Sequence, residues 1–242
     1  MPEDASVLSV RGLSRHFGLR KALEGISFEL PHGSFLTVFG HNGAGKTTLL
    51  RILATLDRPT AGTVTVLGLD AKEDATPIRA RIGYLSHSPL VYADLTAEEN
   101  LVLFARLYGV KEPRERAREL LANTGLAARR LDLVRTFSRG MTQRLSLARA
   151  LIHDPQVVLL DEPYSGLDPQ GAAVLDGLID ANRQGRSFCM VSHDPERGYA
   201  LASHLLVLER GRMRYFGPRE GMGHAELMAL YDQPDVVGAG RA

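Results

Sequence analysis

The sequence lacks a surplus of either charge. Its 242 residues carry 29 Lys and Arg against 28 Asp and Glu, which gives a formal net charge of +1. Proteins that bind nucleic acid through its phosphates usually show a clear basic excess, so we expect no nucleic-acid partner. Cys189 is the only cysteine. A lone cysteine excludes an internal disulfide and a cysteine metal cluster, and it fits a reducing compartment.

Long apolar runs are also missing. No uninterrupted stretch approaches the roughly 20 apolar residues that a helix needs to cross a bilayer. The first ten residues include two acidic side chains, no Lys or Arg, and no apolar segment of signal-peptide length. We therefore expect neither a membrane span nor a recognisable export signal. Hydrophobic residues make up 44% and charged residues 24%, as in average globular proteins, which argues against disorder.

The sequence does contain alternating strand and helix patterns. Residues 7–29 alternate apolar and polar side chains about a turn at Gly18, which predicts antiparallel strands with one buried face. The runs 35–39 and 157–160 are almost wholly apolar, as in strands covered on both faces. Residues 95–133 have helical spacing. We predict an α/β fold with a helical insertion.

A glycine-rich loop joins the run 35–39 to a leucine-rich segment that predicts a helix to about Leu56. The loop matches GxxxxGK[ST], which binds nucleotide phosphates when it follows a strand and precedes a helix. The predicted nucleotide-binding residues are Gly40, His41, Asn42, Gly43, Ala44, Gly45, Lys46, Thr47 and Thr48. Backbone N–H groups would face the phosphates, Lys46 would bridge the β- and γ-phosphates, and the Thr47 hydroxyl suits Mg²⁺. We expect the chain to bind a nucleoside triphosphate.

Two adjacent carboxylates follow the run 157–160. Such a pair is costly at the end of a buried strand unless it faces a cation or a solvent-filled site. Asp161 suits Mg²⁺ through a bound water, and Glu162 is placed to polarise the attacking water as a general base. His193 ends another apolar strand, where it would reach the γ-phosphate and hold the water or its partner carboxylate. Taken alone, a histidine at a strand end is more often structural.

Five motifs occur in the order and spacing of ABC-type ATPases, and the chain resembles that family from about residue 7 to residue 217. The motifs are GHNGAGKTT in the phosphate loop, the signature-like FSRGMTQR at 137–144, LLDEP at 159–163, SGLD at 165–168 and SHD at 192–194. The resemblance implies a P-loop NTPase core with an antiparallel β subdomain and a small α-helical signature subdomain. It implies a single ABC ATPase domain over 1–242, with a RecA-like core at about 1–86 and 155–217, a helical subdomain at about 95–153 and a short tail at 218–242.

The resemblance also implies how the residues act. Two chains would form a head-to-tail homodimer around two ATPs, each bound to one chain's phosphate loop and capped by the other chain's signature. Ser138 would be the N-cap of the signature helix, whose amide dipoles, with Gly140, face the γ-phosphate. Phe17 would stack on the adenine, or else pack against the sheet edge. Asp168 would organise the seam between the two chains.

Two residues depart from the family pattern. His87 stands where the family has a glutamine that offers an oxygen to Mg²⁺ and senses the transport partner. Imidazole is a poor ligand for Mg²⁺, so either His87 acts by a hydrogen bond or Ser88 supplies the oxygen. Arg139 replaces the first glycine of the signature. It would place a cation near the partner chain's phosphates or point to solvent.

The stretches 84–110 and 136–155 resemble the ATP-binding subunit of haem exporters of cytochrome c maturation. Drug, lipid and antibiotic exporter ATPases share much of this pattern, so another export cargo is the alternative. A soluble ABC ATPase outside transport is less favoured, because the sequence has no coiled-coil insertion, second cassette or basic arm.

The transporter resemblance implies partners and a location. It implies transmembrane permease subunits on separate chains, a peripheral position on the cytoplasmic face of the cell membrane, and ATP and Mg²⁺ as cofactors. Residues 88–95, with the apolar side chains of Leu90, Val91 and Tyr92, are the candidate docking surface for the permease. The alternative for these side chains is a local hydrophobic staple under a loop.

Overall fold

The computed structural model describes residues 6–232, whose strands form two β-sheets. The strands are β1 (Ser6–Phe17), β2 (Arg20–Pro31), β3 (Phe35–Phe39), β4 (Ala61–Val66), β5 (Leu69–Asp70), β6 (Ile82–Leu85), β7 (Val157–Asp161), β8 (Ser187–Val191), β9 (His204–Glu209) and β10 (Arg212–Pro218). One sheet has the order β2-β1-β4-β5, and the other has the order β10-β9-β3-β8-β7-β6.

The four-stranded sheet is antiparallel throughout. Its first two strands reverse direction at Gly18 and Leu19, and the φ angle of Gly18 is +59°. Glycine adopts this left-handed conformation without the steric cost that a Cβ atom would add. Buried side chains such as Leu8, Val10 and Ile26 lie on one face of the sheet. The antiparallel sheet predicted from the period-two pattern is therefore present.

The six-stranded sheet is parallel except at its β10 edge. β9, β3, β8, β7 and β6 run in one direction, and β10 pairs antiparallel with β9. Every residue of β3, β7 and β8 is buried, as the almost wholly apolar runs 35–39 and 157–160 predicted for β3 and β7. Parallel strands present their carboxyl ends at one edge of the sheet. This topology brings the segments that follow β3, β7 and β8 to that same edge.

Eight α-helices cover the sheets within residues 6–232. They are α1 (Lys46–Leu53), α2 (Ala75–Arg79), α3 (Ala97–Leu107), α4 (Pro113–Asn123), α5 (Arg139–Ala150), α6 (Pro169–Ala181), α7 (Pro195–Leu201) and α8 (His224–Asp232). α3, α4 and α5 contribute Leu101, Leu121 and Leu145 to a hydrophobic cluster that also contains Leu160 and Phe188 of the sheet. The helical insertion is therefore packed onto the parallel sheet through this cluster.

The first helix ends earlier than its leucine pattern predicted. α1 stops at Leu53 rather than near Leu56, and Thr55 adopts a φ of +57°. The Thr55 N–H donates to the carbonyl of Ile52, and the Leu56 N–H donates to that of Arg51. These two bonds form a Schellman motif, in which the residue with the left-handed conformation, here Thr55, is usually glycine. The chain then leaves the helix, although the apolar pattern continues.

The α/β class and its two-sheet organisation agree with the fold predicted from the sequence. No helix among residues 6–232 is long and apolar enough to cross a bilayer. The predicted tail begins with a short turn of 3₁₀ helix at Arg219–Gly221, and α8 follows. The rest of that tail, 233–242, and the first five residues lie outside the described part of the chain.

Candidate functional site

The phosphate loop connects β3 to α1. The loop residues from Gly40 to Gly45 lead directly into the first turn of α1, where Lys46, Thr47 and Thr48 lie. A Cβ atom at Gly40 would lie 2.3 Å from the carbonyl oxygen of Leu208, and one at Gly45 would lie 2.5 Å from that of Ala22. Both positions therefore admit only glycine. The structure brings all nine predicted phosphate-contacting residues together.

Lys46 is held inside this loop. Its side chain is only 5% exposed, and Nζ donates to the carbonyl oxygens of Gly40 and His41 at 2.5 and 3.1 Å. Burial lowers the pKa of Lys46, while the charges of Glu162 and Asp161 act in the opposite direction. The ammonium group thus lies inside the loop and donates hydrogen bonds to two neutral carbonyl oxygens. A phosphate oxygen would be a stronger partner for it than either carbonyl.

His41 links the phosphate loop to the C-terminal helix. Its Nε2 lies 2.6 Å from the carbonyl oxygen of Tyr231 in α8, and the two rings are 4.8 Å apart. This contact could not be predicted from the sequence, because the two residues are 190 positions apart in the chain.

Thr47 and Asp161 meet at the base of the loop. The Thr47 hydroxyl donates to Oδ1 of Asp161 at 3.1 Å, and Asp161 is 2% exposed. Burial raises the pKa of Asp161, and the Thr47 hydrogen bond partly offsets this effect. A hydroxyl and a carboxylate are the hard oxygen donors that Mg²⁺ accepts, with waters and substrate phosphates completing its shell. The donor set fits Mg²⁺, which would neutralise phosphate charge and the buried carboxylate.

Glu162 and His193 form the second half of the site. Nε2 of His193 lies 2.5 Å from Oε1 of Glu162, and the Glu162 N–H donates to the carbonyl of Val191 at 3.0 Å. Glu162 has a φ of +53°, a conformation that side-chain-bearing residues rarely adopt. Burial, followed by the charge of Lys46, lowers the pKa of His193. The two side chains line a cleft of about 320 Å³ with Tyr164, Ser165, Ser192 and Asp194.

Phe17 lies at the mouth of a second cleft beside the phosphate loop. The cleft measures about 230 Å³, and its lining also includes Arg20, Ala22, Lys46 and Thr47. Phe17 is 47% exposed, which leaves part of its ring open to a ligand. The guanidinium of Arg15 lies 4.4 Å from the ring centroid of Phe17, and Asp57 holds that guanidinium at 2.6 Å. One face of the ring is therefore covered by a cation, and sequence reasoning did not find Arg15.

The signature residues lie apart from the phosphate loop of the same chain. Ser138 is the N-cap of α5, and its hydroxyl accepts from the Met141 N–H at 3.3 Å. Ser138 and Gly140 line a cleft of about 540 Å³ together with Asp168, and no residue of the phosphate loop lines it. Asp168 itself caps α6 by accepting from the Gly171 N–H at 2.6 Å. The structure thus does not unite the predicted signature and phosphate contacts within one chain.

Arg139 is exposed and makes two hydrogen bonds within its own chain. Its Nε donates to the carbonyl oxygen of Ser165 at 2.9 Å, and Nη2 donates to the Ser165 hydroxyl at 3.2 Å. The side chain is thus bound to its own chain while it remains exposed to solvent. A contact with a partner's phosphate stays a prediction.

His87 and Ser88 follow β6 and are both exposed. They line a cleft of about 370 Å³ that also contains Gln143, Glu162 and Ser165. The charge of His87 is a minor influence that lowers the pKa of Asp161. The position of both residues near the carboxylates fits either predicted role, and their part in metal binding stays a prediction.

The sequence profile of the ABC transporter family matches residues 23–165, more than half of the chain. The chain is an ATP-binding subunit of this family. Known relatives include the daunorubicin resistance ATP-binding protein DrrA3 of Streptomyces coeruleorubidus, which is 39% identical over 211 residues that cover 86% of this chain and 67% of the relative. The linearmycin resistance ATP-binding protein LnrL of Bacillus subtilis is 31% identical over 216 residues, which cover 88% of this chain and 70% of the relative.

A solved structure supports the same assignment. The dimeric structure of an ATP-binding cassette in a post-hydrolysis state, bound to ADP and Pi, superposes with a TM-score of 0.80. It is 25% identical, and the alignment covers 88% of this chain and 98% of that cassette. The activity of this ABC ATPase is therefore ATP hydrolysis.

Proposed function

We propose that this ABC ATPase powers an exporter of drug or antibiotic type. The names of DrrA3 and LnrL connect those two proteins with resistance to antibiotics, and this supports the second of the two cargo classes that the sequence suggested. Haem export rests on the stretches 84–110 and 136–155 alone, and neither relative's name refers to haem. The proposed mechanism of ATP hydrolysis is the same for either cargo.

The single observation that carries the catalytic assignment is the contact between Glu162 and His193 at the edge that also holds Lys46. We assign Glu162 as the general base and His193 as the group that orients it and reaches the γ-phosphate. Lys46 and the loop amides would bind the phosphates, which places the γ-phosphorus beside the water held by Glu162. Thr47 and, through water, Asp161 would hold Mg²⁺, which would offset the negative charge of the phosphates.

The active unit is proposed to be a head-to-tail homodimer. Because Ser138 and Gly140 lie outside the phosphate-loop cleft of their own chain, they are available to cap the ATP of a second copy. The N-terminal end of α5 would direct its dipole and its free N–H groups at that γ-phosphate. The dimeric cassette found among the similar structures supports this arrangement.

Permease subunits on separate chains are the proposed partners, which places the dimer on the cytoplasmic face of a membrane. Leu90 and Tyr92 are 49% and 56% exposed in the segment between β6 and α3, whereas Val91 packs against the helical core. Val91 thus packs under the loop as a hydrophobic staple would. The exposed side chains of Leu90 and Tyr92 are the candidates for docking the permease. We further assign 1–86 and 155–217 to the RecA-like core, 95–153 to the helical subdomain and 218–242 to the tail.

The cargo proposal is tested by purifying the chain with its membrane subunit and reconstituting the complex in vesicles. An anthracycline or a peptide antibiotic should stimulate ATP hydrolysis, and haem should not. Stimulation by haem and not by the antibiotics would contradict this proposal and favour haem export for cytochrome c maturation. Vesicles carrying the Glu162→Gln variant control for hydrolysis by contaminating ATPases.

A further inference from the structure

One face of α5 is bonded to the loops at the carboxyl edge of the parallel sheet. Four side chains spaced three or four residues apart each donate to a backbone carbonyl near the end of β6 or β7. Arg139 donates to Ser165 at 2.9 Å, Gln143 to Pro163 at 2.8 Å, Ser146 to Pro89 at 2.9 Å and Arg149 to Tyr84 at 2.5 Å. The signature helix is therefore attached to the segment that carries Glu162.

Arg139 makes the most specific of these attachments. Its guanidinium binds both the carbonyl oxygen and the hydroxyl of Ser165, and its plane lies against the backbone of Gly166. A Cβ atom at Gly166 would lie 2.3 Å from Cζ of Arg139. The absence of a side chain at Gly166 thus makes room for the guanidinium.

The bonded segment determines the position of Glu162. The Ser165 N–H donates to the carbonyl of Glu162 at 3.1 Å, and Gln143 binds the intervening carbonyl of Pro163. Glu162 itself has a φ of +53°. A side-chain-bearing residue keeps such a conformation only where its surroundings hold it there. Arg139 and Gln143 supply part of that restraint from α5.

We propose that Arg139 is a positioning residue that aligns the carboxylate of Glu162 in its own chain through Ser165. The inference rests on the proposed role of Glu162 as general base. Arg139 therefore affects the chemical step rather than the capture of a partner's ATP. Arg139 also lies beside Ser138 in sequence. In the proposed dimer it would therefore connect Ser138, which caps the ATP of the partner chain, to Glu162, which acts on the ATP of its own chain.

The main test is steady-state ATP hydrolysis by the Arg139→Ala variant. We expect kcat to fall by about ten-fold, since small misplacements of a reacting group are costly, with the KM for ATP changed less than about two-fold. Arg139→Lys should recover part of the loss, because its ammonium group can donate to the Ser165 carbonyl. Arg114→Ala is the matched control, an exposed arginine in α4 that makes no side-chain hydrogen bond or ion pair to the described residues.

Gly166→Ala provides an independent variant. The new methyl group would displace the guanidinium, so this change should also lower kcat. Alanine is also strained at the φ of +69° that Gly166 adopts, with or without the guanidinium. The further fold loss in kcat should therefore be smaller in Arg139→Ala than in the wild type, because no guanidinium is left to displace. Multiplicative losses in the double variant would overturn the proposal.

Two further outcomes would also overturn it. An unchanged kcat in Arg139→Ala removes the positioning role, and a raised KM with weaker ATP-driven dimerisation means that Arg139 faces a partner's phosphate. Glu162→Gln distinguishes a failure of the general-base assignment from a failure of the positioning role of Arg139. If that variant still turns over, the base assignment fails. If it is inactive while Arg139→Ala is normal, only the positioning role fails.

Discussion

Nε2 of His193 and Oε1 of Glu162 lie 2.5 Å apart, across the ends of two neighbouring parallel strands. With the imidazole neutral, its N–H donates to the carboxylate and fixes the plane of that group. The other carboxylate oxygen is then the acceptor for the attacking water. The contact depends on the topology, because β7 and β8 deliver the two side chains from segments that are separated in the chain by α6.

Glu162→Gln should abolish turnover while leaving ATP binding intact. The amide keeps the size of the side chain and its contact with His193, but it cannot accept the proton of the attacking water. ATP-bound dimers should therefore accumulate. The measurements are phosphate release, equilibrium ATP binding and size-exclusion chromatography with Mg-ATP. Glu115→Gln, an exposed glutamate on α4, serves as the control. Normal hydrolysis by Glu162→Gln would remove the base assignment.

The lowered pKa of His193 should be measurable in the nucleotide-free protein. Burial and the charge of Lys46 lower its pKa from 6.5, so the imidazole is neutral at pH 7. Protonation would turn the histidine into a cation that pairs with Glu162 and weakens it as a base. We expect the His193 NMR resonance, assigned by its loss in His193→Asn, to titrate below pH 6.5. The acid limb of kcat/KM should follow it, since that ratio reports the free enzyme. A midpoint above 6.5 would contradict both expectations.

Asp161→Asn should raise the melting temperature of the nucleotide-free protein at pH 7 while abolishing Mg²⁺-dependent hydrolysis. Burial raises the pKa of Asp161, so its ionised form costs folding stability above that pKa. Asparagine keeps an oxygen for the Thr47 hydroxyl and carries no charge. The difference in melting temperature should narrow as the pH falls through the raised pKa, because the wild-type carboxyl is then neutral too. Wild-type protein that is more stable at pH 7 would reject this account.

The parts of the site that the sequence predicted are local ones. The phosphate loop, Asp161 and Glu162 each adjoin a strand whose apolar run is visible in the sequence, so spacing alone places them. The partners of Arg15 and Arg139 could not be found in that way. Their bonds to Asp57 and Ser165 join residues 42 and 26 positions apart, and only the packed fold brings these together. The early end of α1 was missed because Thr55 takes a turn position usually filled by glycine.

His87→Ala should lower permease-stimulated ATP hydrolysis more than basal hydrolysis. His87 is exposed beside the cleft that contains Glu162, so a partner docked on the 88–95 segment would reach the site through it. Basal turnover depends on the other residues of the site and should change little. Equal losses in the two assays would argue against a coupling role. Ser88→Ala tests the alternative oxygen donor, and a higher Mg²⁺ requirement in that variant would assign the metal contact to Ser88.

Phe17→Ala should weaken ATP binding several-fold with little change in kcat. The ring stands at the mouth of the phosphate-loop cleft, and Arg15 covers one of its faces, so an adenine base can stack only on the other. Stacking on the adenine stabilises bound ATP and the transition state equally, so its loss raises KM and leaves kcat unchanged. Phe17→Tyr should bind ATP normally because it keeps the stacking surface. Leu19→Ala is the matched control, since Leu19 is fully exposed in the adjacent turn. If Phe17→Ala binds ATP as tightly as Leu19→Ala does, the adenine does not stack on this ring.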